Sequence, residues 1–112
     1  MCGIAGFCNW GDDWQRNIER MNERMYHRGP DDCGVWSTED HRVVFGHRRL
    51  SIVDLSSAGA QPMTSHNGRY IIAYNGEIYN CDLIKERLLR EHKVTGFRGT
   101  SDTEILLESI AA

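Results

Sequence analysis

The spacing of apolar positions predicts a short strand and then an amphipathic helix at the start of the chain. The first apolar run, CGIAGF, is typical of a buried strand. Four apolar side chains then recur at helical spacing: Trp14, Ile18, Met21 and Met25. Acidic residues precede this segment, basic residues end it, and Gly29 and Pro30 follow as a stop signal.

The middle of the chain reads as strands joined by loops. β-branched and aromatic runs divided by polar turns predict three strands, over residues 35–37, 42–46 and 49–52. The small-residue segment SSAGAQPM predicts a loop. Asn67-Gly68 lies before an apolar run, as a hairpin turn should. A second such pair, Asn75-Gly76, is less easily explained by a turn alone.

Two more helices are predicted near the end of the sequence. In the first, four residues share one side: Leu83, Ile84, Arg87 and Leu88. The second begins in TSDTE, where Ser101 and Glu104 fit a capping box. Its apolar face contains Ile105, Leu106, Leu107 and Ile110.

This last helix, TEILLESIAA, has no Gly, Asn or Pro stop signal, so we expect the sequence to be part of a longer chain. An apolar helix face is normally buried against another layer. Without that layer, exposed apolar surface and open strand edges would favour self-association. We therefore expect a homo-oligomer, or a loosely held cleft, for these residues alone.

Composition narrows the function classes. The 112 residues suffice for one domain, and a formal net charge of -3 gives no basic face for nucleic acid or an anionic membrane. The sequence shows neither a signal peptide nor an apolar stretch that could span a bilayer. Four cysteines without paired spacing indicate reduced thiols and a cytoplasmic protein.

The cysteine directly behind Met1 is the main candidate for chemistry. Removal of Met1 would make Cys2 the amino terminus, and its α-amine could then accept the proton of its own thiol. The ordinary pKa values of the two groups, about 8.5 and about 7.7 to 8.0, are close enough for that transfer. The alternative interpretation is a buried core cysteine.

The remaining chemistry would come from three short segments. Attack on an amide needs donors for the developing oxyanion, and Asn75 and Gly76 could supply a side-chain amide and a backbone N–H, although a plain hairpin turn is the alternative. Arg49 could bind a carboxylate bidentately. Asp102 could bind an ammonium group, although helix-start electrostatics is its alternative role.

A zinc site is a weaker hypothesis. His27, Cys33 or His47 could join another cysteine, but these residues lack the paired spacing of structural zinc sites. We therefore expect no metal.

Taken together, six segments resemble the amino-terminal glutaminase domain of glutamine-dependent asparagine synthetases. They are MCGIAGF, HRGPD, GHRRLSIVD, QPM, AYNGEIYN and SDTE, in this order, and the similarity runs along the whole sequence. RLSIVD with NGEIYN is similar to the asparagine synthetase branch of class II glutamine amidotransferases rather than to the glucosamine-phosphate synthase branch.

The resemblance implies an α+β fold, the four-layer αββα sandwich of N-terminal-nucleophile hydrolases with antiparallel sheets, incomplete over residues 1–112. It implies that Cys2 is the nucleophile, that Asn75 and Gly76 form the oxyanion hole, and that Arg49 binds the glutamine α-carboxylate. Glu77 and Asp102 fall where the family binds the α-amino end. The segments HRGPD and QPM resemble structural signatures near the pocket.

The resemblance also implies a partner and two cofactors outside these residues. The synthetase domain that would use the ammonia is absent, so ATP and magnesium are expected there and no cofactor is expected here. The leading hypothesis is a glutaminase that supplies ammonia for asparagine synthesis. The alternative is a glutamine-binding or regulatory module that keeps the fold without processing of Met1.

Overall fold

A computed structural model describes residues 2–9, 12–51 and 55–112. The strands are β1 Gly3–Cys8, β2 Asp32–Ser37, β3 Val43–Arg49, β4 Met63–Thr64 and β5 Ile71–Ile72, and the helices are α1 Trp14–Arg24, α2 Cys81–Arg90 and α3 Asp102–Ala111. The α+β class with antiparallel sheets is confirmed. Within these ranges no helix has the length and apolar character needed to cross a bilayer.

The larger sheet has the strand order β1-β3-β2, and both pairings are antiparallel. Gly3 lies opposite Arg48, and Asp32 lies opposite Arg49. β1 was expected to be a buried strand, but it is an edge strand among the described residues, and the side chain of Ile4 is 45% exposed. The strand prediction is therefore confirmed, and the burial prediction is wrong.

The central strand corrects the predicted division at 42–46 and 49–52. β3 is continuous from Val43 to Arg49, because Gly46 lies inside the strand rather than in a turn. A Cβ at Gly46 would meet Asn22 and Ile18 of α1, so this glycine permits close packing of the helix on the sheet. Ile52, the predicted end of the second strand, lies outside the described residues.

Helix α1 covers one face of the larger sheet. Ile18 is fully buried, and the Asn22 side chain donates to the carbonyl of Gly34 and the sulfur of Cys33, at 3.2 Å each. The helix ends at Arg24, earlier than the predicted stop, and a 3-10 turn, Tyr26–Arg28, precedes Gly29. Met25 is therefore the helix C-cap rather than a member of the helix.

The opposite face of this sheet meets the segment that leads into the second sheet. A Cβ at Gly34 would collide with the backbone carbonyl of Gln61, so β2 and this segment are in direct backbone contact. β4 and β5 then form the predicted hairpin. Its turn contains Asn67-Gly68, with Gly68 at φ 73° and its N–H donating to the Ser65 carbonyl. The Asn67-Gly68 prediction is confirmed.

Helices α2 and α3 pack together, and α3 also contacts β5. α1 thus contacts the larger sheet, and α3 of the helix pair contacts the smaller one. On α2, Leu88 is buried but Leu83 is 67% exposed, so the predicted shared side is only partly the packed one. On α3, Ile105 and Leu107 are buried within the described chain. The expectation that this face would lack cover is wrong for these two residues and holds for exposed Ile110.

The start of α3 corrects the predicted capping box. Ser101 is the N-cap, and its hydroxyl accepts from the N–H of Thr103 at 3.1 Å. Glu104 does not complete a box but accepts from the backbone N–H groups of Arg98 and Gly99, at 2.8 and 3.0 Å. Its carboxylate also lies 2.8 Å from the His66 ring. The fully buried Glu104 thus ties α3 to the β4-β5 turn and to the preceding loop.

This network makes stability dependent on pH. Burial raises the pKa of Glu104, but the hydrogen bonds from Arg98, His66 and Gly99 outweigh it, so the pKa lies below its ordinary 4.5. A lowered folded-state pKa adds stability above pH 4.5 that is lost as the pH falls through the folded value.

We expect Glu104→Gln to lower the free energy of unfolding at pH 7 by about 1–3 kcal/mol, because buried N–H donors lose their carboxylate. The loss of stability between pH 5 and pH 3 should also be smaller in this variant. Chemical denaturation at both pH values measures both effects. Exposed Glu86→Gln is the matched control, and equal behaviour of the two variants would contradict the role of Glu104.

Candidate active site

The β1-β3 register brings Cys2 to the end of the central strand. Because Gly3 pairs with Arg48, the preceding Cys2 lies beside Arg49, 47 positions later in the sequence. The backbone N–H of Leu50 points to the Cys2 sulfur at 3.4 Å, and this sulfur lies 3.9 Å from the Leu50 carbonyl. Cys2 is half-buried. A backbone donor therefore faces the sulfur atom.

The HRGPD segment, residues 27–31, holds this corner in place. The Arg28 guanidinium donates to the Cys2 carbonyl through Nε at 3.4 Å and Nη2 at 3.3 Å. Arg48 donates to the Gly29 carbonyl at 2.9 Å. The Asp31 carboxylate accepts from the N–H of Ser51 at 2.7 Å. These contacts fix the backbone on both sides of the cysteine.

Arg49 reaches the same region from the last position of β3. It is only 7% exposed, and its Nη1 donates to the Ser56 carbonyl at 2.7 Å. The backbone carbonyl of Arg49 accepts from the N–H of Asp31 at 3.0 Å. The guanidinium is thus a positive charge anchored by neighbouring backbone.

The second side of the site is an exposed segment, Asn75, Gly76 and Glu77. The residues at its two ends are hydrogen-bonded: the N–H of Tyr74 donates to the Gln61 side chain at 2.6 Å, and the N–H of Ile78 donates to Asp102 Oδ2 at 3.0 Å. The segment does not join two paired strands, so the hairpin-turn alternative for Asn75-Gly76 is not the one observed.

These two sides enclose a cleft of about 370 Å³. All six residues that the sequence predicts for the site line it: Cys2, Arg49, Asn75, Gly76, Glu77 and Asp102. A thiol, an amide, a buried guanidinium and two carboxylates therefore face one space that is large enough for a small amino acid.

Comparison with known proteins identifies the family. Residues 1–112 match the family described as glutamine amidotransferase domain. The chain belongs to the glutamine amidotransferase domain family.

Three curated relatives are similar to the chain over almost its whole length. The chain is 44% identical to asparagine synthetase (glutamine-hydrolyzing) 3 of Bacillus subtilis, over 97% of the chain and 18% of that protein. It is 37% identical to asparagine synthetase (glutamine-hydrolyzing) 1 of Arabidopsis thaliana, over 95% and 18%. It is also 38% identical to amidase chry2 of Gibberella zeae, over 96% and 17%. The chain thus spans about a fifth of the length of these relatives.

Seven further residues line the cleft without having been predicted as site residues, among them Gln61, Tyr74 and Thr103. The QPM segment did indicate that Gln61 lies near the pocket. Tyr74 and Thr103 directly adjoin predicted residues, which is the only sequence signal they carry. The N–H of Leu50 carries no signal, since every non-proline residue has one.

The structure separates the residues of the zinc hypothesis. Gly34 rather than Cys33 lies opposite His47, so the side chains of Cys33 and His47 lie on opposite faces of the sheet. His27 is exposed in the 3-10 turn. Within residues 2–9, 12–51 and 55–112, no group of three or more potential metal ligands is found.

His47 is a fully buried titratable group two positions before Arg49. Neither of its ring nitrogens has a hydrogen bond of good geometry to the described residues. Burial lowers the pKa of His47 from its ordinary 6.5, and the Arg49 charge lowers it further, whereas the Tyr74 backbone and Asp32 act in the opposite direction. The imidazole is therefore held neutral beside the buried guanidinium.

We expect the stability from neutral His47 to be complete above pH 6.5 and lost as the pH falls through the lower folded-state value. His47→Met, which removes the titration at similar volume, should reduce the difference in free energy of unfolding between pH 8 and pH 5. Denaturation at both values measures this difference. His92→Asn, at an exposed position, is the control and should leave this difference unchanged. An unaltered pH difference in His47→Met would show that the titration of His47 does not contribute to stability.

Proposed function

We propose that this domain hydrolyses the side-chain amide of glutamine, with Cys2 as the nucleophile, and supplies the ammonia to an asparagine-forming synthetase. The observation that carries the proposal is the convergence of Cys2, Asn75, Gly76 and Arg49 on one cleft. Family membership supports glutamine as the substrate, and the names of two relatives support asparagine synthesis.

The first step requires a free α-amine on Cys2, and Met1 lies outside the described residues. After removal of Met1, the amine accepts the thiol proton, and the sulfur forms a bond to the amide carbon. The carbonyl electron pair moves to the oxygen, where the Asn75 amide and the Gly76 N–H stabilise it. The N–H of Leu50, 3.4 Å from the sulfur, stabilises the thiolate before attack.

The second half regenerates the enzyme. The oxyanion collapses, the carbon–nitrogen bond breaks, and the Cys2 ammonium gives its proton to the departing ammonia. The amine then takes a proton from water, the hydroxide attacks the thioester, and the carbon–sulfur bond breaks. The sulfur recovers a proton, and glutamine and water have become glutamate and ammonia.

The charged end of glutamine would bind opposite the thiol. Arg49 would bind the α-carboxylate, because its guanidinium is already desolvated at 7% exposure. Asp102 and Glu77 would bind the α-ammonium group. Asp102 Oδ2 already accepts from Ile78, so Oδ1 would serve the substrate.

The relatives differ in name, since two are asparagine synthetases and one is an amidase. We propose a synthetase domain outside these residues, where ATP and magnesium would bind, and a cytoplasmic location. The glutaminase step uses only residues of this chain. The second candidate function is a glutamine-binding or regulatory module, which the exposed position of Asn75 and Gly76 permits.

We expect covalent chemistry only after removal of Met1. The test uses two forms, one beginning at Met1 and one at Cys2, each incubated with an electrophilic diazoketone analogue of glutamine. Intact and peptide mass spectrometry should find one adduct, on Cys2 of the second form. Exposed Cys8 and Cys33 are internal controls for non-specific alkylation. Glutamine binding without an adduct in either form would favour the regulatory module, and full reaction of the Met1 form would refute the amine as base.

Two further variants should separate turnover from binding. Asn75→Ala should lower kcat by about 100- to 1000-fold with little change in KM, because an oxyanion donor acts on charge that exists only in the transition state. Arg49→Lys should chiefly raise KM, because a point charge replaces a bidentate fork. Steady-state ammonia release measures both. A fall in kcat and a rise in KM of equal size in both variants would indicate a misfolded site instead.

A further inference from the structure

Within the part of the chain that the structure describes, hydrogen bonds hold the exposed segment 75–77 at its two ends and not through its own side chains. On one side Gln61 Oε1 accepts from the N–H of Tyr74 at 2.6 Å, and on the other Asp102 Oδ2 accepts from the N–H of Ile78 at 3.0 Å. Both contacts use backbone N–H groups, so they fix the path of the chain. The position of the Gly76 N–H depends on these two restraints.

Gln61 is itself anchored to the start of α3. Its Nε2 donates to Thr103 Oγ1 at 3.3 Å, and both side chains are buried. The N–H of Thr103 is in turn capped by the Ser101 hydroxyl at 3.1 Å. Both restraints on segment 75–77 therefore lead to the first turn of one helix, through Gln61 and through Asp102.

The amide of glutamine is chemically suited to this link. The Tyr74 N–H needs an acceptor, and the Thr103 hydroxyl oxygen is approached by a donor, so one side chain supplies both functions at its two ends. An apolar side chain of the same length would supply neither. Because the Gln61–Thr103 contact is buried and the Gln61–Tyr74 contact is partly buried, their loss would leave unsatisfied polar groups and a displaced segment.

We propose that Gln61 is a positioning residue that fixes the Asn75-Gly76 donors relative to the α3 helix that carries Asp102. This inference rests on the proposed glutaminase function. Gln61 acts through Tyr74 and Thr103 and need not touch the reacting atoms. A displacement of about 1 Å in a catalytic group can cost about 100-fold in rate.

The kinetic test uses four variants of the Met1-processed protein. Gln61→Met should lower kcat about 10- to 100-fold, while glutamine affinity, measured by calorimetry in a Cys2→Ala background, changes less than threefold. Thr103→Val should also lower kcat. Thr103→Ser, which keeps a hydroxyl group, should retain the kcat of the parent protein. Exposed Gln15→Met on α1 is the matched control and should leave kcat unchanged.

A second readout does not depend on activity. Hydrogen exchange at the Tyr74 N–H should accelerate in Gln61→Met and in Thr103→Val but not in Thr103→Ser or Gln15→Met. If Gln61→Met misfolds, the two Thr103 variants still decide the outcome. Unchanged Tyr74 exchange, or equal kcat in Thr103→Val and Thr103→Ser, would overturn the proposal. The parent protein could instead be inactive while it protects the Tyr74 N–H from exchange. If Gln61→Met then abolished this protection, the result would refute the proposed function and retain the positioning role.

Discussion

The cleft depends on the antiparallel register of β1 against β3. Because Gly3 pairs with Arg48, the backbone places Cys2 beside Arg49 and the Leu50 N–H. Side chains alternate between the two faces of a strand, so a slip of one residue would turn Cys2 towards the α1 face. Residues 27–31 oppose such a slip, since Arg28 binds the Cys2 carbonyl and Asp31 binds the segment after Arg49.

Short motifs allowed much of the site to be predicted, whereas the boundaries of several elements were not. Cys2, Asn75 and Asp102 each stand in a segment whose chemistry is visible in the sequence, and all three line one cleft. The break expected after Gly46 does not exist, because this glycine accommodates a helix rather than a turn. A sequence shows that a glycine lacks a Cβ, but not which neighbour occupies the space.

Helical periodicity did not predict the buried polar side chains of the helices. A periodicity argument assigns apolar residues to the packed face, yet α1 buries Asn22, and α3 buries Glu104 and Glu108. Hydrogen bonds stabilise these groups inside the protein, although Asn22 Oδ1 has no partner among the described residues, and several of the partners are distant in sequence. Asn22 binds a strand, and Glu104 binds a loop and a hairpin turn. Such pairs can be found only once the chain is folded.

The bare backbone of Gly34 allows the segment that precedes β4 to pack directly on β2. It lies in contact with the backbone carbonyl of Gln61, whose side chain accepts the hydrogen bond from the N–H of Tyr74. A methyl group at residue 34 would force β2 and the Gln61 segment apart, although this residue neither lines the cleft nor carries chemistry. Backbone packing thus excludes a side chain at residue 34, although this position carries no functional group.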